Sequence, residues 1–159
     1  MFLRRENSSE IKTRGQHPSG KFRERDSAAG YILLVEDNRE LARAMAEYLA
    51  ANGYRVKSAC SAVEAIAIID QAVPTLILLD LRLPGEMDGF QLYQELRSRI
   101  PNDKIPFIIV SGMYNQDTFI LARELGAKGY FTKPFDVEKL REKVELVFSA
   151  RIRSRPTDG

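Results

Sequence analysis

Five charged or hydroxyl side chains stand at matching places in this sequence, each at the end of a short apolar run. Glu36 and Asp37 follow the run at 31–35, Asp80 follows 76–79, Ser111 follows 107–110, and Lys133 closes the short segment around Tyr130 and Phe131. Three carboxylates gathered at one point repel, and like charges a few Å apart do not all stay ionised without compensation. A hard divalent cation with oxygen ligands supplies it, and a few protein ligands completed by water is the habit of Mg²⁺. The balance closes when the two charges of that cation and the single charge of Lys133 are set against the three acids. Ser111 adds a neutral hydroxyl that can donate to an anionic oxygen. Metal, ammonium and hydroxyl around one carboxylate is the set that phosphoryl transfer onto that carboxylate requires. The cation and the lysine neutralise the equatorial oxygens, and Asp80 is the nucleophile.

Something must bring these residues together, and the apolar pattern says what. Residues 31–35, 76–79 and 107–110 are unbroken apolar runs, as expected of strands covered on both faces. Residues 54–59 alternate and read as a further strand, and Tyr130 and Phe131 mark a short fifth one. Between them lie helical patterns. Leu41, Ala42, Met45 and Leu49 form one face, closed by Asn52-Gly53. Ser61 and Glu64 have the spacing of a capping box for a helix to Gln71. A Pro/Gly loop at 83–89 leads into a helix at 90–99 with Leu92, Leu96 and Ile100 on one side. Another helix covers 117–125 and stops at Gly126, and Asp136 caps a last one carrying Leu140, Val144 and Val147. Five strand–helix pairs in strict alternation predict an α/β fold, a doubly wound five-stranded parallel sheet. Its commonest small order is 2-1-3-4-5, the flavodoxin-like arrangement. Ligands then bind beyond the carboxyl ends of strands 1 and 3, where the strand order reverses, and all five polar residues fall there.

Composition adds boundaries. The 159 residues are 44% hydrophobic and 29% charged, which excludes wholesale disorder, collagen and coiled coil. The net charge of +2 hides an uneven spread: basic residues dominate 1–29 and 149–159, and the middle is acidic. Residues 1–29 lack apolar periodicity and read as a flexible basic arm, 30–148 as the folded domain, and 149–159 as a flexible polar tail. The single Cys60 cannot form an internal disulfide. Nor can Cys60 and His17, without a second of either type, build a metal site, so both read as inert. No apolar run approaches the roughly 20 residues that span a bilayer, and no signal-peptide pattern opens the chain, so the expected location is cytoplasmic. The segment from Gly15 to Lys21 mimics the start of a phosphate-binding loop, but Phe22 stands where Ser or Thr is needed and no strand precedes it. The basic ends carry neither interleaved aromatic residues nor an amphipathic helix, so neither nucleic acid nor membrane is expected as a partner.

The residues at the strand ends resemble a family. Leu34-Val35-Glu36-Asp37-Asn38, Leu78-Leu79-Asp80, Leu83-Pro84, Met87-Asp88-Gly89, Val110-Ser111-Gly112 and the stretch from Gly126 to Phe135 are similar, in this order, to the chemotaxis-regulator-like receiver domain of bacterial two-component response regulators. The resemblance covers 30–148. It implies that Asp80 is the phospho-acceptor, charged by a histidine kinase or a histidine phosphotransfer protein. It implies that Asp37 binds Mg²⁺ directly, with Asp80 and the main-chain carbonyl of Arg82, while Glu36 acts through water. Ser111 and Lys133 would contact the phosphoryl group. Tyr130 would be an aromatic switch that turns inward when Ser111 moves, and the Lys133-Pro134 bond would be cis. Signalling would run through an unidentified downstream protein or by onward phosphotransfer, from a monomer or a phosphorylation-dependent homodimer. The chain would be no enzyme beyond promoting its own aspartyl phosphorylation and dephosphorylation.

Three features depart from the commonest pattern. The loop from Asp80 to Gly89 is one residue longer, the hydroxyl residue is Ser rather than Thr, and Arg82 and Met113 occupy positions that tune phosphoryl lifetime in the family. A long Arg82 either shields the path of attacking water or binds the phosphate. Other functions fit less well. Phosphatases with an Asp nucleophile on a similar sheet need a second Asp where Arg82 stands. A flavin-phosphate carrier would not place Glu36, Asp37 and Glu40 in its first loop. A short tail leaves no room for a DNA-binding output domain, so a single-domain protein is expected. A fragment of a larger regulator or hybrid kinase, or a receiver-like adaptor that is not phosphorylated, are the alternatives.

Overall fold

The structure, a computed structural model, describes residues 30–101 and 104–154. The basic arm at 1–29, with His17 and the run from Gly15 to Lys21, and residues 155–159 lie outside the described residues.

Five strands alternate with five helices: β1 Ile32–Val35, α1 Arg39–Ala51, β2 Val56–Ala59, α2 Ala62–Gln71, β3 Leu76–Leu79, α3 Gly89–Arg99, β4 Phe107–Ser111, α4 Gln116–Glu124, β5 Gly129–Thr132 and α5 Val137–Ser154. All strand pairs are parallel, in the order β2-β1-β3-β4-β5. Every residue of β1, β3 and β4 is buried, which is why these strands appear as unbroken apolar runs. The edge strand β2 is mostly half-exposed and shorter than the alternating stretch 54–59; buried Tyr54 packs with the core before the strand begins.

Successive side chains of a strand point to opposite faces, so the central strands feed two core layers. Leu33, Val35, Ile77, Leu79, Phe107 and Ile109 pack with α2 and α3, through Ala65, Ile69, Leu92 and Leu96. Ile32, Leu34, Leu76, Leu78, Ile108 and Val110 pack with α1 and α5. In α5 the inward face is Leu140, Val144 and Phe148, with Val147 only partly buried. Phe148 stacks edge-on against Tyr54 at 5.1 Å, and Ile152 packs against the same layer. These contacts carry the helix to Ser154, through residues that polarity alone had assigned to the tail.

Helix starts follow local chemistry. Asn38, Ser61, Asp88 and Asn115 each accept a hydrogen bond from the third helical residue's N–H. Asp88 with Gln91 and Asn115 with Thr118 close full capping boxes. The Glu64 carboxylate instead reaches one residue further back, to the Cys60 N–H at 2.7 Å. Asp136 accepts from the N–H groups of Glu138 and Lys139 at the start of α5.

Gly89 fixes how closely α3 approaches the end of β3. Its N–H donates to Leu81 O at 2.9 Å. A Cβ at this position would lie 2.4 Å from the Asp80 carbonyl oxygen and 2.8 Å from Leu81 Cα, both backbone atoms that cannot swing aside. Gly89→Ala is therefore expected to cost about 1–3 kcal/mol of stability. Urea denaturation followed by circular dichroism measures it; an unchanged midpoint would show that the loop yields freely.

Candidate functional site

The register of the sheet assembles the site. Val35 lies level with Ala59 and Leu79, Leu79 with Ile109, Ile109 with Tyr130, and Ser111 with Thr132. The residues that follow therefore emerge side by side at one edge. Backbone bonds continue the ladder past the strand ends: Glu36 N–H to Ala59 O, Asp80 N–H to Val35 O, and Lys133 N–H to Ser111 O. The peptide between Lys133 and Pro134 is cis.

Glu36 and Asp80 are almost fully buried, at 2% and 4% exposure, and Asp37 beside them is exposed. One oxygen from each of the three carboxylates lies within 4.8 Å of the others. The Lys133 ammonium bridges two of them, donating to Glu36 Oε2 at 2.6 Å and to Asp80 Oδ2 at 2.9 Å. Backbone donors take the opposite oxygens: Asn38 N–H reaches Glu36 Oε1 and Arg82 N–H reaches Asp80 Oδ1, both at 3.1 Å.

Burial and ion pairing act in opposite directions on the two partners of the bridge. Burial pushes the Glu36 carboxyl above its ordinary range, against the opposing pull of hydrogen bonds from Lys133 and Asn38. Burial acts on Lys133 in the lowering direction, but hydrogen bonds to Glu36 and Asp80 and their charges outweigh it, and the ammonium is held above its ordinary range. Such a cluster of hard oxygen donors fits a small divalent cation: one exposed carboxylate faces solvent, two buried ones stand behind it, and the Arg82 backbone turns past Asp80.

Ser111 is fully buried, and its Oγ accepts from Met113 N–H at 3.2 Å. The Met113 carbonyl in turn accepts the Tyr130 hydroxyl, which also lies 3.3 Å from Thr118 Oγ1. Tyr130 is half-buried, its ring edge-on to Tyr114 and near Phe119. Thus Glu36, Asp37, Asp80 and Lys133 converge at one point, and Ser111 and Tyr130 join through the Met113 backbone. Arg82 is exposed. The sequence reading had no place for Thr118 and Asn115, although Asn-x-x-Thr after a strand is a capping-box signal. Cys60 lies beside Glu64, which pushes its thiol pKa up, the direction of lower reactivity.

Residues 32–145 match the model of the response regulator receiver domain. The chain belongs to this family. Among curated relatives of this receiver, the transcriptional regulatory protein KdpE of Staphylococcus aureus is 35% identical over 116 residues, covering 73% of the chain and 48% of the relative. The sporulation initiation phosphotransferase F of Bacillus subtilis is 32% identical over 114 residues, covering 72% of the chain and 90% of the relative. The chain thus spans about half of the one relative and nearly all of the other. A CheY-like receiver domain protein from Methanospirillum hungatei superposes with a TM-score of 0.72 at 26% identity, over 80% of this receiver and 100% of that chain. The 2-1-3-4-5 sheet with five helices is the fold they share. Receiver domains are signalling rather than catalytic modules; they work with histidine kinases or phosphotransfer proteins, and they bind Mg²⁺ at an acidic pocket of this kind. No helix among the described residues is long and apolar enough to cross a membrane.

The bridge has a measurable stability role. Lys133→Met leaves Glu36 and Asp80 buried without their counter-charge, at an expected cost of about 3 kcal/mol near pH 7 in chelator-treated buffer. In the parent protein the raised lysine pKa contributes stability that is complete below its unfolded value and is lost as pH rises through the folded one. The deficit of the variant shrinks on acidification, as Glu36 takes up a proton. Urea titrations from pH 4 to pH 8 read the acid limb, and a deficit independent of pH over that range would mean that Lys133 contributes packing alone.

Proposed function

We propose that this chain is a phospho-accepting receiver switch with Asp80 as the acceptor. The observation that carries the reading is the Asp80 carboxylate, buried in an acidic cluster and held there by the Lys133 ammonium. In the proposed step a carboxylate oxygen of Asp80 attacks the phosphorus of a phosphohistidine on a kinase or phosphotransfer protein. A P–O bond forms, the P–N bond breaks, and the imidazole nitrogen keeps the bonding pair. The product is an acyl phosphate.

Each neighbour has a role in this reading. Lys133 moves from balancing two carboxylates to balancing the added phosphoryl oxygens. Asp37, Asp80 and the Arg82 carbonyl hold Mg²⁺, with Glu36 acting through water. When bound, the ion supplies charge neutralisation at the equatorial oxygens of the transferring group. The Arg82 N–H keeps Asp80 oriented. The Ser111 hydroxyl turns from the Met113 N–H toward the phosphoryl group, and Tyr130 responds through the same backbone. Added charge at one point thereby biases a two-state element. The downstream event is a protein–protein contact or onward phosphotransfer in the cytoplasm, from a monomer or a phosphorylation-dependent homodimer.

A second reading rests on the lengths of the relatives. KdpE extends well beyond the matched part, and so does the C4-dicarboxylate transport regulator DctD of Rhizobium meliloti, of which the chain covers 30%. In that reading the receiver controls an attached effector domain.

Incubation with radiolabelled acetyl phosphate and Mg²⁺ tests the acceptor. The parent chain is expected to take up label, Asp80→Asn to take up none, and chelation to reduce uptake strongly. Undiminished label in Asp80→Asn would reject the assignment. Absence of label in the parent would favour a receiver-like adaptor that is not phosphorylated.

A further inference from the structure

We propose that a groove at the end of the molecule opposite Asp80 docks an acidic, amphipathic segment of a partner protein, independently of phosphorylation. The groove, about 430 Å³, lies between the C-terminal half of α5 and the segments that lead into β4 and β5. Pro106, Leu146 and Val147 line it with aliphatic surface, and Lys104, Lys128 and Arg151 line it with cations. Among the described residues that line it, none is acidic. Leu146, in α5, is 66% exposed and joins Pro106 and Val147 in this lining.

Charge complementarity selects the occupant. Neither Lys104 nor Lys128 is ion-paired with a described carboxylate. A further cation, Lys143, lays its stem over Gly129 on the same side of α5, one turn before Leu146. Carboxylates spaced around an aliphatic side chain would pair with Lys104 and Lys128 while covering Leu146, combining an apolar centre with a polar margin. A nucleic acid backbone would meet the lysines but gain nothing from the aliphatic lining, and among the described residues no aromatic ring lines the groove to stack a base.

Position separates this surface from the phosphorylation site. Lys128, whose N–H bonds to Phe107 O, stands just before β5, and Pro106 stands just before β4. Lys133 and Ser111 lie at the other ends of those strands, roughly 15 Å away at about 3.3 Å per residue. A partner held here leaves the Asp80 edge open, so the groove serves as a standing tether.

Peptides selected from a random phage-displayed library against the full chain provide the test. The expected consensus carries Asp or Glu around a Leu, Ile or Phe. A fluorescein-labelled consensus peptide, read by anisotropy, is expected to lose at least about tenfold in affinity for Leu146→Asp and for the double variant Lys104→Glu/Lys128→Glu. It should bind Asp80→Asn as well as the parent and weaken with added salt. Unchanged melting temperature and unchanged labelling by acetyl phosphate confirm that the groove variants are folded. Lys128→Ala, which only removes a charge, should show a smaller loss in the same direction. A basic consensus or none, unchanged affinity in both groove variants, or binding of a DNA duplex through these lysines without peptide binding would each overturn the proposal. Loss of affinity in Asp80→Asn would reject its independence of phosphorylation.

Discussion

Two nearly buried carboxylates side by side at the end of a parallel sheet are tolerated here because one ammonium lies between them. Lys133 touches both Glu36 and Asp80, and nothing else about the site makes electrostatic sense without that bridge. Coulomb repulsion between Glu36 and Asp80 would otherwise be met by neutralising one of them. The remainder of the fold serves this contact. The β1–β3 register sets the acids beside each other, and Lys133 reaches them from the end of β5, with β3 and β4 lying between β5 and β1. The N–H groups of Glu138 and Lys139, which donate to the Asp136 carboxylate and start α5, follow closely behind Lys133.

The same edge leads by hydrogen bonds to a helix. Ser111 Oγ accepts from Met113 N–H, Met113 O accepts from Tyr130, and Tyr130 also meets Thr118, whose hydroxyl and N–H close the cap of α4. Helix α4 is the least anchored of the five: Ala122 is its one buried residue, and Phe119, Ile120 and Leu121 are exposed. A helix with few buried contacts is one whose position can shift at small cost. A proposed rearrangement at Ser111 thus meets the element least able to resist it. The groove beside Lys104 and Lys128 sits at the other end of the sheet, where no such chain of contacts is needed for its proposed role.

Much of this was readable in the residues. Runs such as Leu76-Ile77-Leu78-Leu79 are apolar throughout because both faces are covered, so their period reveals a central parallel strand and its end locates Asp80. Alternation and handedness leave few strand orders, and the commonest small one, 2-1-3-4-5, is the order observed. Other features depend on distances that no pattern encodes. Lys133 lies 2.6 Å from Glu36 Oε2 and 2.9 Å from Asp80 Oδ2, and charge counting alone does not say which of the three carboxylates it bridges. The extension of α5 to Ser154 rests on Phe148 and Ile152 meeting the α1 side of the sheet, while the intervening arginines and serines make the stretch look polar. Gly89 is recognisable as a loop glycine, but its purpose, contact with the Asp80 carbonyl, belongs to tertiary structure. Likewise Asn115 and Thr118 show a capping pattern, and only the fold brings Tyr130 to it.

In the proposed function one carboxylate among the three forms an acyl phosphate. Borohydride reduction converts a phosphorylated aspartyl side chain to homoserine and leaves free carboxylates unchanged, so the modified position can be read by peptide mass spectrometry. After treatment with acetyl phosphate and Mg²⁺, then borohydride, homoserine is expected at position 80, with Glu36 and Asp37 intact. Reduction at another acidic residue, with position 80 unmodified, would contradict the account.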